Sequence, residues 1–450
     1  MKRFLYIFVT LCLVAEREGF FENLYTTPLR WISTALLETK LFVIPVVDAI
    51  VLFILFASKP VARGSDSMVK AVYASMAAVA ISAAWGVMRG GSAYQVQFQV
   101  HALIMSYVLF FAIRKVLQAP EDYVVLGKIL VGVAVYRALS CLAFYFFILR
   151  PGVLQELPPT ITSHDDSVIF AVGFALPVLY ACIRPSPRSI RSALVICALI
   201  VVGIYLNNRR IAYVSMLGAL VFVYAALPSS PLKSRINRKL LPLAPLLAIY
   251  VAVGWGRTEG IFKPLASITS VNSSETDLSA KSRDNENMGL IVTFGQSRWM
   301  GTGWGHEYIE VDDTLAPKSF LQYKYLPHNS VLGLLAFSGI LCFTGTWMVF
   351  PICSLLAARA IKQTRSPTVR LLGMGTFCQV VVCLMQAWGD MGIISYVPTF
   401  VMATGFACAS HLPAFEAMAM PAPLRAAMPL GSKRPSARAV SRNPRSSPSA

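Results

Sequence analysis

Apolar stretches of about twenty residues recur along most of the chain, and this repetition constrains the fold more than any motif does. About 20 consecutive apolar residues in a helix cross a hydrocarbon core about 30 Å thick. Lipid offers the backbone no hydrogen bonds, so a spanning segment must be a helix or part of a closed barrel. A window of about 19 residues gives spans at 4–15, 41–57, 68–88, 99–118, 123–149, 166–184, 189–206, 208–227 and 239–255. After a polar interruption the pattern resumes at 329–357, 368–388 and 393–411. Composition agrees: 56% of residues are hydrophobic, 14% are charged and the mean hydropathy is +0.60. The fold class expected is all-α, a polytopic membrane helix bundle of about twelve transmembrane helices. One integral domain is expected over 1–411, with a large outer loop, about 257–327, between helices nine and ten. Residues 412–450, rich in Pro, Ser, Ala and Arg, read as a disordered basic cytoplasmic tail.

Lysine and arginine set the orientation, because cytoplasmic loops hold an excess of them. With the N-terminus inside, Lys59, Arg63, Arg114, Lys115, Arg184, Arg188, Arg191, Lys233, Arg235, Arg238, Arg359, Lys362 and Arg365 all fall on the inner side. The formal charge of +18 is then a topology signal, with membrane lipid as a partner and no nucleic acid. The first segment resembles a signal-peptide core, but Glu16, Arg17 and Glu18 follow it instead of a small-residue cleavage site. It reads as a retained short or tilted helix. All nine cysteines lie inside apolar spans, which argues for small core hydrophobes, and no CxxC or Cys/His spacing points to a metal or other cofactor.

The residues with chemical interest share the outer side. The link "NNRR" places Arg209 and Arg210 against the positive-inside trend. They either snorkel to headgroups or form an anion site, since guanidinium offers a planar fork to phosphate oxygens. Arg89, in "MRGGSAY", is a second cation of that kind. In the long loop, 257–282 is polar and irregular, whereas Met288, Ile291, Val292 and Gly295 recur at helical spacing. That pattern predicts an amphipathic helix ending near Gly295, followed by the glycine turn "WMGTGWG". Arg298 either joins an anion clamp or stacks on Trp299. Pro327, His328 and Asn329 stand where the next helix begins. The positive end of that helix disfavours imidazolium and keeps His328 neutral, either as a base or merely as an interfacial side chain. "SHDDS", at 163–167, reads as helix-capping residues, with Asp165 as an alternative ligand for sugar hydroxyls.

Three separated pieces, in order, resemble the superfamily of bacterial O-antigen ligases and O-antigen polymerases. They are the arginine of "NNRRIAYV", the "SR" of Ser282-Arg283 with Gly301 eighteen residues later, and "HNSVLGLLAFSGI" from His328. The chain departs from the family pattern at Phe337 and Cys342, where an acidic residue and a glycine are usual. The resemblance implies a membrane glycosyltransferase of the bacterial inner membrane whose site faces the periplasm. Its donor would be a glycan on undecaprenyl diphosphate, and its acceptor a glycan, lipid or protein hydroxyl, as in lipopolysaccharide or exopolysaccharide assembly. In that reading Arg283 and Arg209 or Arg210 hold the diphosphate, and His328 deprotonates the acceptor, giving inversion without a metal. Asn329 orients the ring or binds sugar. Trp304 and Tyr308 of "GTGWGHEY" offer flat faces to sugar rings, with His306 as a wall residue. The competing expectation is a non-enzymatic transporter or flippase of lipid-linked or free glycans, which would carry two similar halves with interrupted helices. No such halves are evident in the sequence.

Overall fold

The computed structural model describes residues 1–15, 34–41, 44–59, 65–150, 161–207, 209–255, 257, 262, 265, 278–314, 322–393 and 395–419. The expected tail beyond Ala419, and most of the Ser/Thr-rich stretch before Leu278, lie outside these residues. The described residues are almost entirely helical. In chain order the helices are α1 (Lys2–Val14), α2 (Val46–Ala57), α3 (Asp66–Met88), α4 (Ala93–Val116), α5 (Pro120–Phe144), α6 (Asp166–Ile183), α7 (Pro187–Asn207) and α8 (Arg210–Ala226). They continue with α9 (Pro231–Leu240), α10 (Ala244–Gly254), α11 (Leu278–Gln296), α12 (Ser330–Trp347), α13 (Val349–Gln363), α14 (Pro367–Gly389) and α15 (Tyr396–Met418). A two-residue antiparallel pair, β1 (Lys40–Leu41) and β2 (Ile44–Pro45), precedes α2.

Eight of these segments are long and apolar enough to cross a membrane, against about twelve expected. Those at 4–15, 41–57 and 208–227 fold as helices of 13, 12 and 17 residues, shorter than the roughly 20 that a perpendicular crossing takes. α15 has the length but falls outside the set of apolar spans. Its place explains its composition: it packs against α4, α13 and α14 and is buried along nearly its whole course. A helix surrounded by helices needs small side chains for close approach, and Thr399, Ala403, Thr404, Gly405, Ala407 and Ala409 provide them. α15 also extends beyond 411, with Leu412 and Phe415 buried.

The expected span at 329–357 is not continuous. Gly339 has φ 60° and ψ 179°, which no helix accommodates, so α12 breaks there. α13 follows directly after Met348, which keeps helical dihedrals. Freed backbone groups at membrane depth must find partners, and the glycine turn after α11 supplies them. Thr302 N and Gly303 N donate to Ala336 O and Phe337 O, while Ile340 N and Leu341 N donate to Arg298 O and Trp299 O. The turn is wedged between this break and α3. Trp304 N donates to Ser82 O, the Trp85 indole donates to Gly301 O, and Gly305 N donates to Gln99 Oε1 on α4 at 2.5 Å. Gly303 has φ 87°, and a Cβ there would collide with the backbone of Gly86, so both its conformation and its closeness require glycine.

Candidate active site

α11 forms where the periodicity places it, with its apolar stripe turned outward. Met288, Ile291 and Val292 are half exposed, whereas Glu286, Gly289, Leu290 and Thr293 are buried, Glu286 against the start of α12 and Gly289 and Thr293 against Tyr308 and Ile309. A helix at a membrane turns its greasy stripe outward as readily as inward, and here the polar face meets the protein. That face carries Arg283 and Glu286 at i, i+3, one above the other.

Glu286 organises the start of α12. Its Oε1 accepts from His328 N at 2.6 Å and from Asn329 N at 3.4 Å, and its Oε2 lies 2.8 Å from His328 Nδ1. A carboxylate at a helix N-terminus satisfies orphan donors and meets the positive end of the helix dipole. Asn329 is buried, and its Oδ1 caps the helix by accepting from Leu332 N at 3.0 Å. With Nδ1–H donated to Glu286, His328 presents Nε2 as the atom open to an acceptor proton. Burial of His328 works against the imidazolium. The Glu286 hydrogen bond and charge, with Asp390 behind them, outweigh burial and raise its pKa above the ordinary histidine value. The expectation of a ring held neutral by the helix dipole is therefore corrected: an unforeseen carboxylate reverses the sign.

A second group closes on the same place. His328 O accepts from Met391 N at 2.6 Å, tying α12 to the turn after α14. Met391 has φ 45°, a conformation that L side chains rarely adopt, and it follows the buried Asp390 directly. Asp390 Oδ2 lies 2.7 Å from His164 Nδ1, which is 3.0 Å from an Arg209 Nη1. One ring nitrogen serves one of these partners at a time. Donation to Asp390 satisfies the buried carboxylate and leaves Arg209 an electrostatic neighbour of this ring. Burial pushes the Asp390 carboxyl pKa up, but His164, Arg283 and His328 together pull it below the usual carboxylate value. Burial lowers the Arg209 pKa, and Arg283 adds to this while Asp390 opposes it; a guanidinium stays charged regardless. Arg283 thus acts on Arg209, Asp390 and His328 at once.

The structure separates the other sequence candidates. Arg209 turns inward toward His164, while Arg210 is exposed at the first turn of α8. Arg89 is exposed and lies over the Trp85 ring at 5.6 Å, and Arg298 is exposed with its carbonyl committed to α12. Trp304 and Tyr308, expected to offer open faces to sugars, are each 5% exposed. The Trp304 ring packs on Phe337 and Tyr308 packs edge-on against Tyr323. Their faces are taken up by the core, because the glycine turn is a seam and not a wall. Of Trp304, only the indole N–H, buried without a partner, stays available for hydrogen bonding. His306 Nε2 lies 3.1 Å from Gly86 O in the same seam.

The capping expected over 163–166 falls to Ser163, whose Oγ accepts from Asp165 N at 3.2 Å, whereas the N-cap residue Asp165 makes no side-chain cap. Asp166 instead meets Arg137 Nε at 3.2 Å, both buried, and Arg137 also donates to Leu13 O and Ala15 O. A charge inside a span is thereby paired, and it fastens the end of α1 to the start of α6. Sequence reasoning missed Glu286, whose only signal was its spacing from Arg283. It also missed Asp390 and His164 as partners, which 226 residues separate. Among the described residues no group of three or more His, Cys, Asp or Glu is disposed to hold a metal ion.

Residues 195–346 match the family model described as O-Antigen ligase. The match runs from within α7 to within α12, and so contains Arg209, Arg283, Glu286 and His328, while His164 and Asp390 join from outside it. No curated protein matches the chain. The apolar helices make the chain a multi-pass membrane protein, and its residues 195–346 are similar to the O-antigen ligase family.

Proposed function

We propose that the chain transfers a glycan from an undecaprenyl-diphosphate carrier to an acceptor hydroxyl at the periplasmic face of a bacterial inner membrane, with inversion. The observation that carries this reading is the meeting of His328, held by Glu286, with Arg209 and Arg283 around Asp390. His328 Nε2 takes the acceptor proton as the hydroxyl oxygen attacks the anomeric carbon. The bond from that carbon to the diphosphate oxygen breaks, and its electron pair leaves with the phosphate. Arg209 and Arg283 meet the charge that develops there, and the Asp390 carboxylate, held by His164, draws Arg209 to the cluster beforehand. Arg209, turned inward, suits this role better than the exposed Arg210. Asn329 acts through the start of α12 instead of through sugar contact, because its side-chain oxygen is already a cap.

The test uses purified protein in nanodiscs with an undecaprenyl-diphosphate oligosaccharide, following release of undecaprenyl diphosphate with and without acceptor glycan. Acceptor-dependent release supports transfer. Binding or movement of the lipid across a panel of donors and acceptors, with the sugar-phosphate bond never cleaved, returns the chain to the transporter class.

A further inference from the structure

The site described above occupies one end of the bundle, and a cavity of about 640 Å³ opens at the other. The cavity lies between the first halves of α5, α7 and α14, the second half of α6, and α15. α6 and α14 fix this opposition, because the entry to α6 and the exit of α14 carry His164 and Asp390, while their other ends line the cavity. Its volume is that of a small-molecule site, about 300–1,000 Å³.

The lining divides by chemistry. Leu126, Leu176, Ile196 and Leu371 make apolar walls, whereas Lys128, Arg184 and Arg188 bring three cations and no lining residue is acidic. Lys128 is the informative one. It sits eight residues into α5, about 12 Å from the helix start at 1.5 Å per residue, where a charge faces a cavity or snorkels. Arg184 is fixed to α14 by donation to Thr368 Oγ1 at 2.6 Å, so the rim is pre-formed. The same end of the bundle gathers Arg114, Lys115, Arg191, Arg359, Lys362 and Arg365, the basic face that meets anionic lipid.

We infer that this cavity binds an anionic glycerophospholipid of the phosphatidylglycerol type. Its phosphate would lie among Lys128, Arg184 and Arg188, with an acyl chain along the apolar walls. A basic pocket between membrane helices suits such headgroups, and uncompensated charge distinguishes it from a groove for neutral lipid. The inference is independent of the glycan chemistry at the opposite end.

Native mass spectrometry of the full chain in detergent would be run with phosphatidylglycerol, phosphatidylcholine or inorganic phosphate, alongside thermal unfolding. Phosphatidylglycerol should be retained and should raise the unfolding midpoint, and the other two should do neither. Arg188→Gln, an exposed change that spares the fold, should weaken retention about fivefold, and Lys128→Gln by a similar factor. Arg191→Gln, outside the cavity, should leave retention unchanged. Equal retention of phosphatidylcholine, a matching midpoint shift from inorganic phosphate alone, or full retention by both cavity variants would overturn the assignment.

Discussion

Two regions of the long polar interruption use polar chemistry in opposite ways. From α11 to the start of α12, side chains do the organising: Glu286 holds His328, and Arg283 faces Arg209 and Asp390. From Arg298 to Gly305 the backbone does it, through hydrogen bonds that mend the break in α12 and fasten the turn to α3 and α4. The first region presents ionisable atoms, and the second commits its backbone polar atoms to structure. The difference teaches that the glycine turn is a scaffold, for all its aromatic and histidine content, and that the ionisable groups on which the proposed chemistry rests lie in the charged cluster.

Substitutions should separate the two regions, and the largest effect expected falls on the arginines. Arg209→Ala should cost about 10²–10³ in the rate of donor cleavage, the scale of losing one preorganised charge stabiliser, with the unfolding midpoint little changed. Arg210→Ala should leave the rate near wild type, and equal losses in the two variants would erase the distinction between the inward and exposed guanidinium. Gly303→Val should act on folding instead, costing about 1–3 kcal/mol from backbone strain alone, with further loss from the collision with Gly86. A lowered yield or midpoint in detergent reads this out, and a stable but inactive variant would move the turn into the chemistry.

A smaller effect should come from the carboxylate behind His328. Glu286→Gln removes the interaction that raises the histidine pKa and leaves burial, which lowers it. A base works unprotonated, so the wild-type rate should climb as pH rises through the raised His328 pKa. In the variant the acid limb of the pH–rate profile should shift to lower pH, with a plateau about tenfold lower from the weaker, less oriented base. An unmoved limb would detach Glu286 from the reaction. Smallest of all, Met288→Ser on the outward stripe of α11 should change stability by about 0.5 kcal/mol or less, measured as a shift in midpoint.

The helices were legible because apolar windows report membrane depth directly, and the three motifs with their order located Arg209 or Arg210, Arg283 and His328. What escaped had physical reasons. Gly339 looks like any small residue of a membrane helix, and nothing local says that the turn at 298–303 will supply the hydrogen bonds lost there. Trp304 and Tyr308 looked like sugar platforms because an aromatic beside glycines in a polar loop reads as exposed, yet the seam buries both. The stripe of Met288, Ile291 and Val292 was visible but its direction was not, since beside a bilayer an apolar face has two good partners. Asp390 and His164 lie too far apart in the chain for any local pattern to join them. Shorter helices such as α1 and α8 were counted as spans because a window reports hydropathy more faithfully than length.

The most direct test of the charged cluster is donor cleavage by His328→Ala, compared with wild type in the same nanodiscs and with unfolding midpoints measured in parallel. Loss of a general base predicts a fall of about 10²–10⁴ in acceptor-dependent release of undecaprenyl diphosphate, with the midpoint and donor binding retained. A folded His328→Ala protein that releases undecaprenyl diphosphate at the wild-type rate would contradict the assignment of the chemistry to this end of the bundle.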